Sequence, residues 1–236
     1  MPDRNQSRPR FFVIEIELRL NKDEYFLPIF GYISVLAVVS IMITASVDTM
    51  HIACASHACS LFAAVSKQIE YINIYSSKKE YRQYKQYISY IQKYQLAIKF
   101  VDILNSSYQV YALTFLIIVI GTMTAIGLRI LYILDQLETV IKFVLILMVS
   151  LSSLLITCYS GQRIVDESQN IFYGVYAAEW YKFSPRLKYL LKITLYRSSK
   201  PCELKAGNMI PLSLATYATV LQMAWSYYRV LYSMQK

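Results

Sequence analysis

Four groups of residues have types and spacings that could do chemistry. His51, Cys54, His57 and Cys59 carry metal-ligating side chains. Cys54 and His57, three apart, share a helix face, but Cys59 turns away and no acidic residue completes a ligand set. Packing within a helix is the better reading, and no metal or cofactor is expected. Asp166 and Glu167 could form a carboxylate pair, but neighbours on a helix point about 100° apart and cannot close on one substrate atom. Asp48 is a lone charge near the end of an apolar run, a place where charges are often functional. The last group is the most regular. Gln222, Ser226, Arg229 and Ser233 are spaced four, three and four apart and, with Thr219, make one polar stripe on a helix otherwise rich in Leu, Val, Met and Tyr. A polar stripe in a membrane span must face protein or water, since lipid cannot satisfy it. It would either hydrogen-bond inside one bundle or wall an aqueous pore between subunits. No phosphate loop, nucleophile elbow or HExxH run is present, so the chain does not read as an enzyme.

The elements that carry these residues follow from composition. The chain has 236 residues, 56% hydrophobic and 17% charged, with mean hydropathy +0.36. That is too apolar for an ordinary soluble domain. Gly and Pro number only six each, which favours helices over strands. Charge-free windows run Tyr25–Val47, Ile103–Leu128, Phe143–Gln162 and Ala206–Tyr228. Each reaches the ~20 residues that carry a helix across the hydrocarbon core. The stretch DTMHIACASHA has neither Gly nor Pro to turn on. One helix from about Leu27 to about Tyr75 is therefore expected, its second half standing outside the bilayer.

Four spans put both termini and the short RILYILDQLETVIK link on one side. Segments 67–102 and 163–205 lie on the other side and hold seven and eight Lys/Arg. The positive-inside rule makes those two segments cytoplasmic and the C-terminus extracellular, although MPDRNQSRPR opposes this with three Arg. The net charge of +9 is then mostly cytoplasmic loop charge, not a nucleic-acid signal. No apolar signal region follows Met1, so an outer N-terminus suggests further spans upstream. All four cysteines fall on the cytoplasmic side or its membrane edge and are expected as free thiols.

Residues 11–20, FFVIEIELRL, alternate with period two and read as a short exposed strand or extended loop. Tyr84, Tyr87, Ile88, Ile91, Tyr94, Ile98 and Val101 recur at helical steps, which favours a packed amphipathic helix over an RNA-stacking surface. Asn105-Ser106-Ser107 reads as a capping cluster at the next span. The third span is expected to run on to about Phe183, with Ser184-Pro185 as its break. Asn208 is expected to cap the last helix, with Pro211 in its first turn.

With these residues in hand, the chain resembles the insect odorant receptors, and most closely their large social-insect expansions. The resemblance covers nearly the whole chain. It rests on SRPR and NKDEYF, Asp48-Thr49-Met50, His57-Ala58-Cys59 with Phe62, and most strongly on an ordered C-terminal set. That set is Gly161-Gln162, Asp166, Ser168, Tyr176, Trp180-Tyr181, Arg197-Ser198, Ser213-Leu214 and Ser226-Tyr227.

The resemblance implies an all-α transmembrane bundle of seven spans, of which spans four to seven are present, with long cytoplasmic helical extensions. The organisation is then an extracellular loop at 1–26, a span and extension at 27–75 and a cytoplasmic segment at 76–107. Spans follow at 108–131 and 139–162, joined by a short loop at 132–138. Cytoplasmic anchor helices occupy 163–207 and the pore-lining span 208–236. The resemblance also implies a ligand-gated cation channel of the plasma membrane, acting in smell as a hetero-tetramer with a co-receptor. Matched by position, the gate falls on Val230 and Met234, both apolar as a dewetting constriction requires, beside Gln222, Ser226 and Arg229. Arg229 stands where relatives carry a small or neutral residue, Trp225 where a smaller one is usual, and Tyr94 where a histidine is common. A cation beside a cation gate raises the barrier unless it snorkels to the outer surface. The resemblance places volatile ligands among the outer halves of spans two to six, where Tyr32, Thr122 and Phe143 are candidate contacts. Alternatives are a gustatory receptor, whose last-span pattern fails here by one position, a non-conducting bundle or transporter, and a non-functional receptor fragment.

Overall fold

The computed structural model describes residues 26–74, 80–132, 137–178 and 180–234. Five α-helices carry the fold: α1 (Phe26–Ile74), α2 (Glu80–Tyr132), α3 (Leu137–Ala177), α4 (Pro185–Ser198) and α5 (Leu214–Met234). A 3₁₀ turn, Trp180–Lys182, precedes α4, and a two-stranded hairpin of β1 (Lys205–Ala206) and β2 (Ile210–Pro211) precedes α5. The alternating run at 11–20, the SRPR and NKDEYF motifs and the 132–138 loop fall wholly or mostly outside the described residues. No turn interrupts α1 at Asp48–Ala58.

The chain divides between Met50 and His51 into two units. In the first, Leu27, Val35, Val38, Ile41 and Met42 are exposed, a face suited to hydrocarbon. The hydroxyls there are satisfied within the helix. Ser34, Ser40, Thr44, Ser46 and Thr49 each donate to the carbonyl four residues back at 2.6–2.8 Å. No hydroxyl of this group has to find a partner in lipid.

The second unit has a core built from stripes at helical spacing. In α1 a buried stripe runs His51, Ala55, Ala58, Phe62, Val65 and Ile69, spaced four, three, four, three, four, with Cys59 buried beside it. In α2, Tyr87, Tyr94, Val101 and Tyr108 recur every seven residues, and Ala112, Leu116, Val119, Met123 and Ile126 continue the seam. Leu154, Cys158, Ile164, Ser168, Ile171 and Val175 face them from α3. Burying a large apolar side chain of this kind stabilises by about 1.5–3 kcal/mol. The tyrosine-rich stripe of α2 is thus a packing face, with Tyr94 edge-on to Phe62 at 6.2 Å. His51 joins three helices: its Nε2 lies 3.1 Å from Ser160 Oγ, and its ring stacks on Tyr108 at 3.9 Å.

Three sequence expectations about helix ends are corrected. Asn105-Ser106-Ser107 does not cap a helix. It lies inside α2, and Asn105 Oδ1 instead accepts the Lys205 N–H at 2.7 Å. α3 stops at Ala177, short of Phe183, and Ser184 is the extended N-cap residue before Pro185 of α4. Asn208 and Pro211 do not start α5. Gly207 and Asn208 take φ of 57° and 59°, and the Met209 N–H donates to Ala206 O at 3.2 Å. Consecutive positive φ values in a four-residue turn are hairpin chemistry, which Gly and Asn tolerate best. Pro211 sits on an edge strand, where it has no ladder donor to lose. Ser213 caps α5, its Oγ accepting the Thr216 N–H at 3.3 Å.

Among the described residues, three stretches are long and apolar enough to cross a membrane: Leu27–Ile69, Tyr84–Gly127 and Thr139–Ala177. α5 is not among them, because Gln222, Arg229 and its tyrosines dilute its apolar content.

Candidate functional site

The site is built around α5, so what fixes α5 comes first. The segment before it is pinned to α2 and α3. The Gly207 N–H donates to Gln109 O at 3.0 Å, and the Cys202 N–H donates to Ser168 Oγ at 3.0 Å. The Leu212 N–H closes back onto Leu204 O at 2.8 Å. Leu212 is buried and its backbone crosses α3 at Gly161, where a Cβ would collide with the Leu212 carbonyl oxygen. Glycine at 161 is what lets the chain cross α3 this closely. Burial pushes the Cys202 thiol above its ordinary value, with Arg197 pulling partly the other way.

From this base α5 runs outward with Val220 buried and Leu221 and Ala224 half-buried. Every described side chain from Trp225 to Ser233 is exposed. Among the described residues the polar stripe is therefore exposed, as are the other side chains of this half of α5. Thr219 donates to Ala215 O at 2.9 Å and Ser233 to Val230 O at 2.7 Å, both within α5. Gln222, Ser226 and Arg229 are exposed, and so is Val230 at 53%. Met234 is the last residue of α5, and its side chain lies outside the described part. Arg229 does not extend toward the chain end. Its guanidinium carbon lies 5.9 Å from the centre of the Trp225 ring, one turn back. This is the direction helical side chains lean, and it holds the cation on an aromatic face.

Behind α5 lies a cavity of about 320 Å³ between α2, α3 and α5. Met123, Thr124 and Gly127 line one wall, Leu147 and Leu151 another, and Leu221, Ala224, Trp225, Tyr227 and Tyr228 the third. Trp225 stacks on Tyr228 at 5.8 Å. A second cavity of about 400 Å³ lies between α2 and α4, but Lys99, Asp102 and Arg197 on its walls make it a poor match for an apolar volatile.

Tyr32 belongs to the first unit, and Thr122 and Phe143 to the second. Tyr32 is exposed in the first unit, Thr122 is half-buried with its hydroxyl on Val119 O, and Phe143 is half-buried on α3. None of them lines the 320 Å³ cavity. The aromatic wall at Trp225 and Tyr228 and the small residue at Gly127 escaped sequence reasoning. The available signal was a glycine inside an apolar span facing an aromatic turn of the last helix. The His/Cys group does not converge either. His51 stacks on Tyr108, His57 sits edge-on to Phe100 at 5.4 Å, and no metal-binding cluster occurs among the described residues. All four cysteines are free.

These features define a multi-pass helical membrane protein with a partly polar terminal helix. A model of the 7tm odorant receptor family matches residues 5–225, and the chain belongs to that family, one of receptors and not enzymes. Odorant receptor 67c of Drosophila melanogaster is 28% identical over 94 residues, covering 40% of this chain and 23% of that receptor. Odorant receptor 85b of the same species is 31% identical over 97 residues, covering 41% and 25%. The matched stretches thus span about a quarter of these relatives. The olfactory receptor OR5 of Machilis hrabei in complex with eugenol superposes with a TM-score of 0.83 at 14% identity, over 94% of this chain and 57% of that one. A second OR5 structure gives 0.69 at 15% identity, over 86% and 53%. At such identities the likeness is one of fold.

Proposed function

We propose that this chain is part of an odorant receptor subunit that gates cation flow with a co-receptor, in a hetero-tetramer of the plasma membrane. In this reading α5 is the fourth span present, after spans at 27–75, 108–131 and 139–162, and its C-terminus is extracellular. Gln222, Ser226 and Arg229 face the water-filled path, and Val230 and Met234 form its apolar constriction. Volatile molecules, of which the eugenol held by OR5 is an example, act on the same bundle.

One observation carries this reading: the α5 stripe is exposed among the described residues. Hydrocarbon cannot solvate Gln, Ser and Arg side chains, so in a membrane this face needs water or another chain. A stripe satisfied by the described helices would be buried, and this one is not. The Arg229 contact with Trp225 also bears on conduction. A cation–π contact at an exposed site contributes about 0.5–1 kcal/mol, enough to bias the guanidinium back along the helix.

The test is odorant-evoked current in cells expressing the chain with the co-receptor, comparing wild type with Val230→Ala and Met234→Ala. Altered permeation and block are expected. Currents unchanged in both properties would sink the pore assignment.

A further inference from the structure

The geometry points to Arg229, held by Trp225, as a charge filter in the path along α5, a fixed guanidinium that favours monovalent over divalent cations. The inference deepens the proposed function and rests on its placing water along the α5 stripe.

Charge comes first. α5 reads LATYATVLQMAWSYYRVLYSM, with Arg229 its only charged residue and no Asp or Glu to neutralise it. Among the described residues no carboxylate pairs with Arg229. A guanidinium keeps its charge at any working pH. An uncompensated cation on an exposed helix face acts on every ion that passes that face.

Position comes second. The Arg229 guanidinium lies over the Trp225 ring, 5.9 Å from its centre. That ring is itself braced, because Tyr228 stacks on it at 5.8 Å and Tyr232 stacks on Tyr228 at 6.3 Å. The charge is thereby set back one turn, at the level of Trp225 and Ser226. An ion moving along α5 from the hairpin toward Val230 meets the guanidinium before the apolar constriction.

Valence comes third. Coulomb energy is proportional to the charge of the ion, so any factor against a monovalent cation is squared for a divalent one. In water at ~8 Å, one unit charge depletes a monovalent cation about twofold and a divalent cation about sixfold. The net preference is about two- to threefold per guanidinium, and less at high salt. Repulsion of this size biases the choice of ion without blocking the path.

The experiment reads the field at Trp225 directly. The chain has two tryptophans, so Trp180→Phe leaves Trp225 as the sole indole reporter. The full chain carrying Trp180→Phe, in phosphatidylcholine nanodiscs at low salt, is titrated with iodide, caesium and neutral acrylamide, each normalised to its quenching of free N-acetyltryptophanamide. Acrylamide should quench, and iodide should outdo caesium by about two- to tenfold. Arg229→Gln should bring that ratio to about one, and Arg229→Lys should keep most of it, with folding of both checked by circular dichroism. In the current assay with the co-receptor, Arg229→Gln should raise calcium permeability relative to sodium about two- to threefold. An iodide-to-caesium ratio that is the same in Arg229→Gln, with acrylamide still quenching, would overturn the filter and leave the pore reading standing. A calcium-to-sodium ratio unchanged in Arg229→Gln would do the same. Absence of acrylamide quenching would put Trp225 out of reach of water and overturn both.

Discussion

Gly161→Ala puts one methyl group where α3 meets the backbone of Leu212. The new Cβ would overlap the Leu212 carbonyl oxygen and press within 3.0 Å of its Cβ. Neither atom is the tip of a flexible side chain, so α3 or the chain entering α5 must move. Overpacking of this kind costs about 1–3 kcal/mol. Movement of Leu212 also strains its N–H bond to Leu204 O, which contributes about 1 kcal/mol. Against this, alanine gains about 1 kcal/mol of helix propensity. The net is a destabilisation of roughly 1–3 kcal/mol, or about 5- to 150-fold in the folded-to-unfolded ratio. Two other glycines calibrate it. At Gly121 a Cβ meets nothing, so Gly121→Ala should stabilise by up to about 1 kcal/mol. At Gly174 the neighbour is the Ser66 hydroxyl at 3.0 Å, which can rotate away, so Gly174→Ala should fall between the two. Unfolding by SDS titration in mixed micelles, followed by circular dichroism, gives the order. Gly161→Ala as stable as Gly121→Ala would refute the claim that this crossing requires glycine.

Ser168→Ala strands the buried Cys202 N–H and should destabilise by about 1–3 kcal/mol in the same titration, with Ser168→Thr restoring part of the loss. Asn105→Ala removes the acceptor for the Lys205 N–H and should loosen the hairpin, read as faster amide exchange at Lys205 and Gly207, whereas Asn105→Asp keeps the acceptor and the protection. The Cys202 thiol, raised by burial, is more fully protonated at a given pH than a free thiol. Its alkylation at neutral pH should be slower in the folded chain than in the unfolded chain, and the gap should narrow as pH rises above the ordinary thiol value of about 8.5. Equal rates at pH 7.4 would show that the hairpin does not shield it.

The helices were legible because their signals are long and redundant. Charge-free windows, few glycines and prolines, and a turnless DTMHIACASHA point to one helix from about Leu27 to about Tyr75, and α1 runs Phe26–Ile74. The period of Tyr87, Tyr94 and Val101 marks the packed face of α2. The hairpin was not legible, since two-residue strands carry no alternation. Asn208 and Pro211 suit a helix start and a turn equally well, and the tertiary crossing of Leu212 over Gly161 decides between them. Asn105 was misread for a related reason. Its cap-like neighbours describe a local option, while its actual partner is 100 residues away. The stripe of α5 could be read from spacing, but not which way it faces. The cavity belongs to three helices at once and has no sequence period of its own.

The pinned hairpin and the open far half of α5 together make a cantilever. One end follows the hairpin segment that is tied to Gln109 of α2 and Ser168 of α3, with Ser213 capping α5, and no described side chain beyond Ala224 is buried. Val230 stands about 25 Å along the helix axis from that clamp. A rotation of only about 10° at the base would therefore carry Val230 sideways by roughly 4 Å without breaking a single helical hydrogen bond. Small rearrangements at the hairpin are magnified at the tip.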